Sequence, residues 1–282
     1  MSNYALKRAS SGRRCHPPYL RGNLNPLWSC VLPLADHSST PSTAESTSTI
    51  NELRFYAAPP HECSYLPDRD ATTLFVDPEA TIDTKTYSQL SAVGFRRSGR
   101  FIYRPHCGEC TACIPVRVLV QHYSPKRRQR RIWKLNQDLA AIHQQPLFRE
   151  EQYALYERYI DTRHIDGDMF PASEEQYQSF LIEGRPEASF IEFRDASKHL
   201  IAVAVIDTLQ DGLSSIYTYF DPDEDKRSPG GFAIQWSIEY ARQLALPYLY
   251  LGYWINDCRK MSYKCDYQPF EQFDGRRWLT PT

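Results

Sequence analysis

A cysteine-rich turn carries the most specific chemistry in this sequence, at C-x2-C-x2-C spacing in Cys107, Cys110 and Cys113. Three thiols at this spacing bring soft ligands close together, as a zinc ion or an iron–sulfur cluster requires. A tetrahedral site takes its fourth ligand from elsewhere in the chain, and Cys63 is placed for that role, with His61 and His106 as further candidates. The alternative is that the thiols are buried and pack as small hydrophobic residues.

A strongly basic stretch surrounds this turn. Between Val93 and Lys134 the chain has eleven lysines and arginines and a single acid, Glu109. Charges on a solvated face normally mix both signs, so this imbalance favours contact with a nucleic acid, through its phosphates rather than its base edges. The predicted nucleic-acid-binding residues are Arg104, Lys126, Arg127, Arg128, Arg130 and Arg131.

The composition excludes several classes of protein. The chain has 282 residues, 41% of them hydrophobic, which is enough for one large or two ordinary domains. No apolar run approaches the roughly 20 residues that a membrane-spanning helix needs. Three of the eight cysteines form one cluster and no signal-peptide pattern precedes them, so a reducing, cytoplasmic setting is expected.

Charge and composition divide the chain into three segments. Residues 1–50 are predicted to be a disordered tail, because 38–49 is dominated by Ser, Thr and Pro without apolar periodicity. Residues 51–145 have 14 basic and 9 acidic side chains, and residues 146–282 have 14 basic and 23 acidic ones. We expect a basic, cysteine-containing N-terminal domain over 51–145 and a second, acidic domain over 146–282.

The elements that position these residues follow from apolar periodicity. The cysteine turn is predicted to lie between a strand over 96–104 and a return strand over 114–120, and the basic run on a helix from Ser124 to about His143. Further along, helices are predicted over 150–163, 173–183 and 231–244, and strands over 189–194, 200–208, 213–220 and 248–254. This order is typical of an acetyltransferase-like (GNAT) domain, so the predicted fold class is α/β (α+β), with an N-terminal mixed domain before it.

Seven blocks of the sequence point to one family: 94–99, 103–107, 128–131, 161–171, 217–227, 250–255 and 260–264. Together they resemble the bacterial aminoacyl-tRNA-protein transferases, specifically the aspartate/glutamate leucyltransferases, which are related to the eukaryotic arginyl-tRNA-protein transferases. The resemblance covers roughly 51–282. It implies a GNAT-like fold and transfer of leucine from leucyl-tRNA to proteins with N-terminal Asp or Glu, which marks them for degradation. It implies neither a DNA nor a membrane partner.

The implied reaction needs little covalent catalysis by the enzyme. The donor ester is already activated and the attacking α-amine has a pKa of about 8, so orientation and charge stabilisation suffice and no cofactor is required for the chemistry. An acidic acceptor needs a cation, and the candidates in the shared blocks are Arg96, Arg97, Lys260 and Lys264. Asp221 is predicted to hold the acceptor ammonium or take its proton.

Two alternatives remain at this stage. One is a coenzyme-A-dependent N-acetyltransferase, since 228–231 contains the glycines of a pyrophosphate-binding loop. Phe232 replaces the expected third small residue, and the acids of 221–225 are expected to repel a pyrophosphate. The other alternative is a zinc-dependent RNA-binding module without catalytic activity, although the polar and aromatic blocks after residue 146 exceed what such a module needs.

Overall fold

The computed structural model describes residues 50–165 and 167–281, so the tail predicted over 1–50 lies almost wholly outside the described residues. The helices are α1 (Thr84–Ala92), α2 (Arg127–Leu135), α3 (Glu150–Arg163), α4 (Glu174–Tyr177) and α5 (Pro229–Gln243). The strands are β1 (Phe55–Ala57), β2 (His61–Glu62), β3 (Asp70–Ala71), β4 (Thr73–Val76), β5 (Arg96–Ser98), β6 (Phe101–Pro105), β7 (Ile114–Leu119), β8 (Ala140–Gln144), β9 (Ala188–Arg194), β10 (Leu200–Thr208), β11 (Gly212–Phe220), β12 (Tyr248–Trp254), β13 (Phe270–Phe273) and β14 (Trp278–Leu279). No helix in the described ranges is both long and apolar enough to span a membrane.

The larger sheet has eight strands in the order β14-β13-β7-β12-β11-β10-β9-β8. Its pairs are antiparallel except β11 with β12, which run parallel. The first eight residues of β10 are all buried, and seven of them form the continuous apolar run 200–206, which predicts a strand covered on both faces. The mixed α/β class predicted from the sequence is confirmed.

Helices α3 and α5 cover opposite faces of this sheet. Glu192 in β9 accepts a hydrogen bond from Gln152 of α3 at 2.8 Å, whereas the next residue, Phe193, contacts the Trp236 ring of α5 at 5.5 Å. Successive strand residues point to opposite faces, so the two helices enclose the sheet between them. The main core lies in these two layers.

The smaller sheet has the order β1-β4-β6-β5 and packs with α1 against the larger one. Its core includes Tyr87, Leu90 and Phe95, and it continues onto Tyr250 of the larger sheet and Leu209, which directly follows β10. Strands β7 and β8, which precede residue 146, belong to the larger sheet, so both predicted domains contribute to it. The boundary at 145/146 stays a prediction.

Two predicted elements differ from the structure, one because it is divided in two and one because it ends early. The strand predicted over 96–104 is the hairpin β5-β6, turned at Gly99, whose φ of +56° favours glycine. The helix predicted to reach His143 ends at Leu135, and 140–144 forms β8, which pairs with β9. Tertiary pairing therefore overrides the helical periodicity after Asn136.

A buried ion pair joins the two sheets. The Arg97 guanidinium donates to both carboxylate oxygens of Asp207, at 2.6 and 2.7 Å, and Tyr87 donates to the same carboxylate at 2.7 Å. Both charged side chains are fully buried. Arg97 is thus engaged in the fold, between α1 and β10.

We expect Arg97→Met to lower the free energy of unfolding by about 3 to 5 kcal/mol, because it leaves the Asp207 carboxylate buried without its counter-charge. Urea denaturation measures this loss. The double variant Arg97→Met/Asp207→Leu should regain much of the stability, since no unpaired charge remains. A loss below about 1 kcal/mol in the single variant would show that the pair does not hold the two sheets together.

Candidate active site

A split between two parallel strands opens the larger sheet. Strands β11 and β12 pair over three residues only, from Gly212 with Tyr248 to Ser214 with Tyr250, and then separate. Residues 215–218, beyond the last pair, are all partly exposed although they lie in a central strand. The divergence therefore creates a cleft in the middle of the sheet.

The strands on both sides of the split are irregularly paired with their outer neighbours. The register of β11 with β10 shifts so that Ile216 has no partner, and the register of β12 with β7 shifts so that Leu251 has none. Such bulges bend a strand and increase its twist, and they are common beside active sites. Each diverging strand thus has a bulge next to the point where the ladder ends.

Arg96 lies at the point where β11 and β12 begin to separate. Its guanidinium donates to the Ser214 hydroxyl at 3.2 Å and to the carbonyls of Ser215 and Tyr250 at 2.5 and 3.5 Å. These acceptors belong to both diverging strands, so the arginine replaces the backbone pairing that ends there. The sequence analysis missed both serines, whose only signal is two adjacent hydroxyl residues in an apolar strand.

Lys264 is the second cation of the site. It lies on a 3₁₀ segment (Arg259–Asp266), is only 8% exposed, and its Nζ donates to the Tyr253 carbonyl at 2.5 Å. Burial, together with the Arg96 charge, lowers the pKa of Lys264 to about 7. Within 50–165 and 167–281, neither Arg96 nor Lys264 forms an ion pair with a carboxylate. The two side chains, here called the cation pair, therefore form a partly desolvated positive site without a counter-anion.

A glycine allows the cation pair to form. Gly252 has a φ of +79°, and a Cβ there would lie 3.1 Å from Cζ of Arg96. We expect Gly252→Ala to displace Arg96 and to lower kcat/KM at least about 10-fold, with a stability loss of about 1 to 3 kcal/mol from the strained backbone. Steady-state kinetics and thermal melting measure the two effects. Gly275→Ala is the control for strain alone, since its φ is +95° and a Cβ there would contact nothing within 4 Å. An equal activity loss in both variants would contradict this account.

The other predicted acceptor-binding residues lie apart from the cation pair. The Arg97 guanidinium is buried and donates to both carboxylate oxygens of Asp207, so it is already paired within the fold. Lys260 is exposed on the same 3₁₀ segment as Lys264. The structure therefore brings together two of the four predicted residues.

The Asp221 carboxylate already has hydrogen-bond partners within the protein. Its buried carboxylate accepts from Arg158 at 3.0 Å and from the Asp223 backbone N–H at 3.0 Å, and His199 Nε2 lies at 3.6 Å. To bind an acceptor ammonium, it would have to exchange Arg158 for the substrate. Its role in the reaction stays a prediction.

The acidic loop around Asp221 is less negative than its sequence indicates. Arg158 also contacts Asp223, Arg163 contacts Asp225 at 2.9 Å, and Arg227 contacts Glu224 at 2.9 Å. With these pairs in place, the loop repels a pyrophosphate less than its acidic residues alone indicate. Sequence analysis did not identify these arginines, because two of them come from α3.

The four predicted metal ligands line one cavity of about 530 Å³, between the smaller sheet and the edge of the larger one. Burial, together with the nearby thiols of Cys63, Cys107 and Cys110, raises the pKa of Cys113 to about 12. No group of three or more His, Cys, Asp or Glu side chains among the described residues is arranged to hold a metal ion. In this arrangement the thiols do not form a ready ligand set, and a metal stays a prediction.

Helix α2 presents the predicted basic surface. Lys126 is its N-cap, and Lys126, Arg127, Arg128, Arg130, Arg131 and Lys134 are all exposed. Gln129 and Ile132 are buried on the opposite side of the helix, which fixes it to the body of the protein. Arg104 lies elsewhere, on β6, with its guanidinium over the Phe95 ring at 5.0 Å. The structure thus gathers five of the six predicted nucleic-acid-binding residues on one surface.

The basic helix adjoins the segment that carries Lys264. Gln129 Nε2 donates to the Asp266 carbonyl at 3.1 Å, and Arg128 lies 4.0 Å from the Asp266 carboxylate. Asp266 is the last residue of the 3₁₀ segment that contains Lys264. The end of the segment that carries Lys264 therefore lies against α2.

Comparison with known proteins identifies the family. A model described as "Arginine-tRNA-protein transferase, N terminus" matches residues 61–131, and one described as "Arginine-tRNA-protein transferase, C terminus" matches residues 151–274. The chain is 54% identical over 230 residues to a protein named "Aspartate/glutamate leucyltransferase" from Teredinibacter turnerae, which covers 82% of this chain and 95% of that protein. A protein of the same name from Pseudomonas aeruginosa is 53% identical over 233 residues, covering 83% of this chain and 99% of that protein.

Among solved structures, the L-PGS from Bacillus licheniformis aligns with a TM-score of 0.44 and 12% identity, covering 60% of this chain and 62% of that one. FemX aligns with a TM-score of 0.40 and 10% identity, covering 74% of this chain and 81% of that one. The family models and the close relatives agree with the blocks found in the sequence. The chain therefore belongs to the arginine-tRNA-protein transferase family and is an aminoacyl-tRNA-protein transferase.

Proposed function

We propose that this enzyme transfers leucine from leucyl-tRNA to the α-amine of proteins that begin with Asp or Glu, marking them for degradation in the cytoplasm. Relatives that share more than half of its aligned residues bear the name of this activity. The observation that carries the proposal is the cation pair of Arg96 and Lys264, which has no carboxylate partner among the described residues. The side chain of an acidic acceptor supplies the missing negative charge.

The reaction depends on orienting the acceptor amine and the donor ester rather than on a covalent enzyme intermediate. The acceptor nitrogen attacks the leucyl carbonyl carbon, the ester C–O bond breaks, and the ribose oxygen leaves with the proton that the amine gives up. Holding the acceptor side chain on the cation pair fixes where its α-amine lies, which supplies the orientation that a bimolecular attack lacks. No step requires a thiolate or a metal-bound water.

The donor RNA is placed on α2 in this proposal. Its exposed cations contact phosphates, and the helix adjoins the 3₁₀ segment of Lys264 through Gln129 and Asp266. RNA held there brings its aminoacylated end to the cleft. Phosphate contacts position a nucleic acid without selecting an amino acid, so the choice of leucine belongs to the cleft.

We also propose that the larger sheet is of the acetyltransferase-like (GNAT) type. The parallel pair that separates after three residues, with α5 between its two strands, supports this assignment. In open sheets with parallel strands, ligands bind where neighbouring strands separate, and here the cation pair lies at that point.

Transfer assays test the proposal. Purified enzyme is incubated with a set of charged tRNAs and with peptides that begin with Asp, Glu, Asn or Lys. We expect leucine on the Asp and Glu peptides only, because Asn has the shape of Asp without its charge. Equal transfer to the Asp and Asn peptides, or preference for another donor, would contradict the proposal.

The pH dependence of acceptor binding follows from Lys264. Its pKa of about 7 means that the ammonium is present below pH 7 and lost as the pH rises through that value. The acceptor carboxylate stays ionised throughout, so we expect the Kd of an Asp-starting peptide to be about 10-fold higher at pH 8.5 than at pH 6. Calorimetry measures it. Lys264→Arg keeps its charge and should show a much weaker dependence; the same dependence in that variant would place the titrating group elsewhere.

A zinc ion or an iron–sulfur cluster at Cys63, Cys107, Cys110 and Cys113 stays a prediction of the sequence. Elemental analysis and absorbance of anaerobically purified protein test it. Metal-free protein that is folded and active would make these thiols packing residues around the cavity.

A further inference from the structure

A second cavity lies beside the basic helix, at residues that form neither the cation pair nor the cysteine cavity. It has a volume of about 300 Å³ and lies where α2, β8 and α5 meet. Its walls are largely aromatic, from Trp133 of α2 and Phe232, Trp236 and Tyr240 of α5. Neither the cation pair nor the cysteine cavity shares a residue with it. The proposed reaction does not use it.

The rings of this cavity form a partly exposed platform. Trp236 and Tyr240 stack with centroids 4.9 Å apart and an interplanar angle of 22°, and the exposed ring of His143 lies 4.9 Å from Tyr240. Trp133 packs on Phe232 at 5.4 Å. Stacked side chains of this kind hold their flat faces in place, which reduces the entropy cost when another flat ring binds.

The charges around the cavity favour an anion. Trp133 is flanked on α2 by the exposed cations Arg130, Arg131 and Lys134. Glu239, an acid in the lining, is paired with Arg242 at 2.5 Å, so its charge is largely balanced. An aromatic surface bordered by unbalanced cations has the two components that bind single-stranded nucleic acids.

The lining also contains a buried polar group. Asn136 is fully buried, and its Nδ2 donates to the carbonyls of Ile132 and Arg227 at 2.8 and 2.9 Å. Among the described residues its Oδ1 has no hydrogen-bond partner, and this oxygen has almost no accessible surface. Asn136 therefore joins the end of α2 to the Arg227 carbonyl and is assigned no contact with a ligand.

We propose that this cavity binds an unpaired nucleotide of the donor RNA, its base stacked on the aromatic platform and its phosphates on the cations of α2. The inference rests on the proposed function only in taking the RNA to lie along α2. It adds that recognition includes an unpaired base outside the cleft. A protein partner would need acidic side chains to pair with those cations. RNA provides both interactions in one ligand, since its bases stack on the rings and its phosphates pair with the cations.

Anisotropy titrations with labelled RNA test the proposal on the full chain. The probes are a six-nucleotide single strand and the same sequence annealed to its complement. We expect the single strand to bind at least about 10-fold more tightly, and Trp236→Leu/Tyr240→Leu to weaken its binding about 10-fold to 100-fold. The double variant Trp236→Phe/Tyr240→Phe keeps flat faces and should lose less than about 3-fold. Equal affinity for single strand and duplex would overturn the proposal.

The salt dependence of RNA binding distinguishes failure of the aromatic cavity as a nucleotide site from failure of α2 as the donor site. The leucine variant keeps every cation of α2, so its plot of log K against log salt should keep the wild-type slope. If replacement of Arg127, Arg128, Arg130 and Arg131 by Gln (the basic-helix variants, singly or together) flattens that slope and the leucine variant binds like wild type, only the aromatic cavity is excluded. If the basic-helix variants leave the slope unchanged, the RNA does not lie on α2 and the proposed donor site fails as well. Unchanged melting temperatures in both aromatic variants exclude misfolding, and an apolar peptide that displaces the probe would assign the cavity to a protein.

Discussion

Lys264→Met is expected to lower kcat/KM for Asp- and Glu-starting acceptors about 100-fold or more while raising the melting temperature. The loss follows because Lys264 is a buried partner of the acceptor carboxylate in this account, and truncating one partner of such a pair costs about 2 to 5 kcal/mol. The Arg96 charge remains, so residual activity is expected. The measurement is steady-state transfer of leucine to Asp- and Asn-starting peptides.

The gain in stability comes from removing a buried charge. The pKa of Lys264 is lowered from 10.5 to about 7, so the folded protein binds this proton less tightly than the unfolded chain. The folded state is therefore penalised increasingly as the pH falls from about 10.5, by about 4 kcal/mol at pH 7. Methionine does not titrate, so this penalty disappears in the variant. The Tyr253 carbonyl, however, loses its hydrogen-bond donor, which lowers the stability by about 1 to 3 kcal/mol. A net gain of about 2 kcal/mol raises Tm by several degrees.

Two controls make this result specific. Lys85→Met removes an exposed lysine on α1 and should change neither activity nor Tm appreciably. In the Lys264→Met enzyme the preference for Asp over Asn acceptors should shrink, because Asn does not use the missing charge. An enzyme that keeps its full preference would show that the acceptor carboxylate binds elsewhere.

Replacing Arg127, Arg128, Arg130 and Arg131 together by Gln is expected to weaken tRNA binding at least about 100-fold at low salt. Each arginine–phosphate pair that the change removes should flatten the plot of log K against log salt by about 0.7 to 0.9, and hence by about 3 to 4 if all four pairs are lost. These side chains are exposed, so the fold should be unaffected. Acceptor preference should also be unchanged, since phosphate contacts do not read the acceptor.

The matched control removes as many exposed cations from other surfaces: Arg54, Lys85, Lys198 and Arg276. It changes the net charge equally and should retain the wild-type slope. Equal slopes for the two quadruple variants would mean that long-range attraction, and not α2, accounts for RNA binding.

The order of elements after residue 146 could be predicted because its signals are local. The apolar run of β10, the turn at Asp211 and Gly212, and the 3.6-residue period of α5 each specify their own element. The end of α2 could not be predicted in this way. Residues 140–144 form a strand only because β9 lies beside them, and no local pattern records that neighbour. The short strands β13 and β14 likewise depend on pairing with distant residues.

The site was predictable in its residue types but not in its geometry. Arg96 and Arg97 are adjacent and identical, yet one lies at the split and the other is bound to Asp207, 110 residues away. Lys264 was a candidate by resemblance. Its lowered pKa, however, arises from burial and from Arg96, which are brought to it only by the fold. Sequence patterns identify chemistry in a block, while burial decides which side chain is available to a substrate.

Direct titration of Lys264 tests the central claim that the cation pair receives the acceptor carboxylate. Lysine side-chain methylene carbons, labelled with ¹³C and assigned by comparison with Lys264→Arg, report its pKa by NMR in the free enzyme and with saturating peptide. We predict a pKa of about 7 in the free enzyme, and an increase of at least about one unit with an Asp-starting peptide but not with its Asn counterpart. An identical pKa with both peptides would contradict the account.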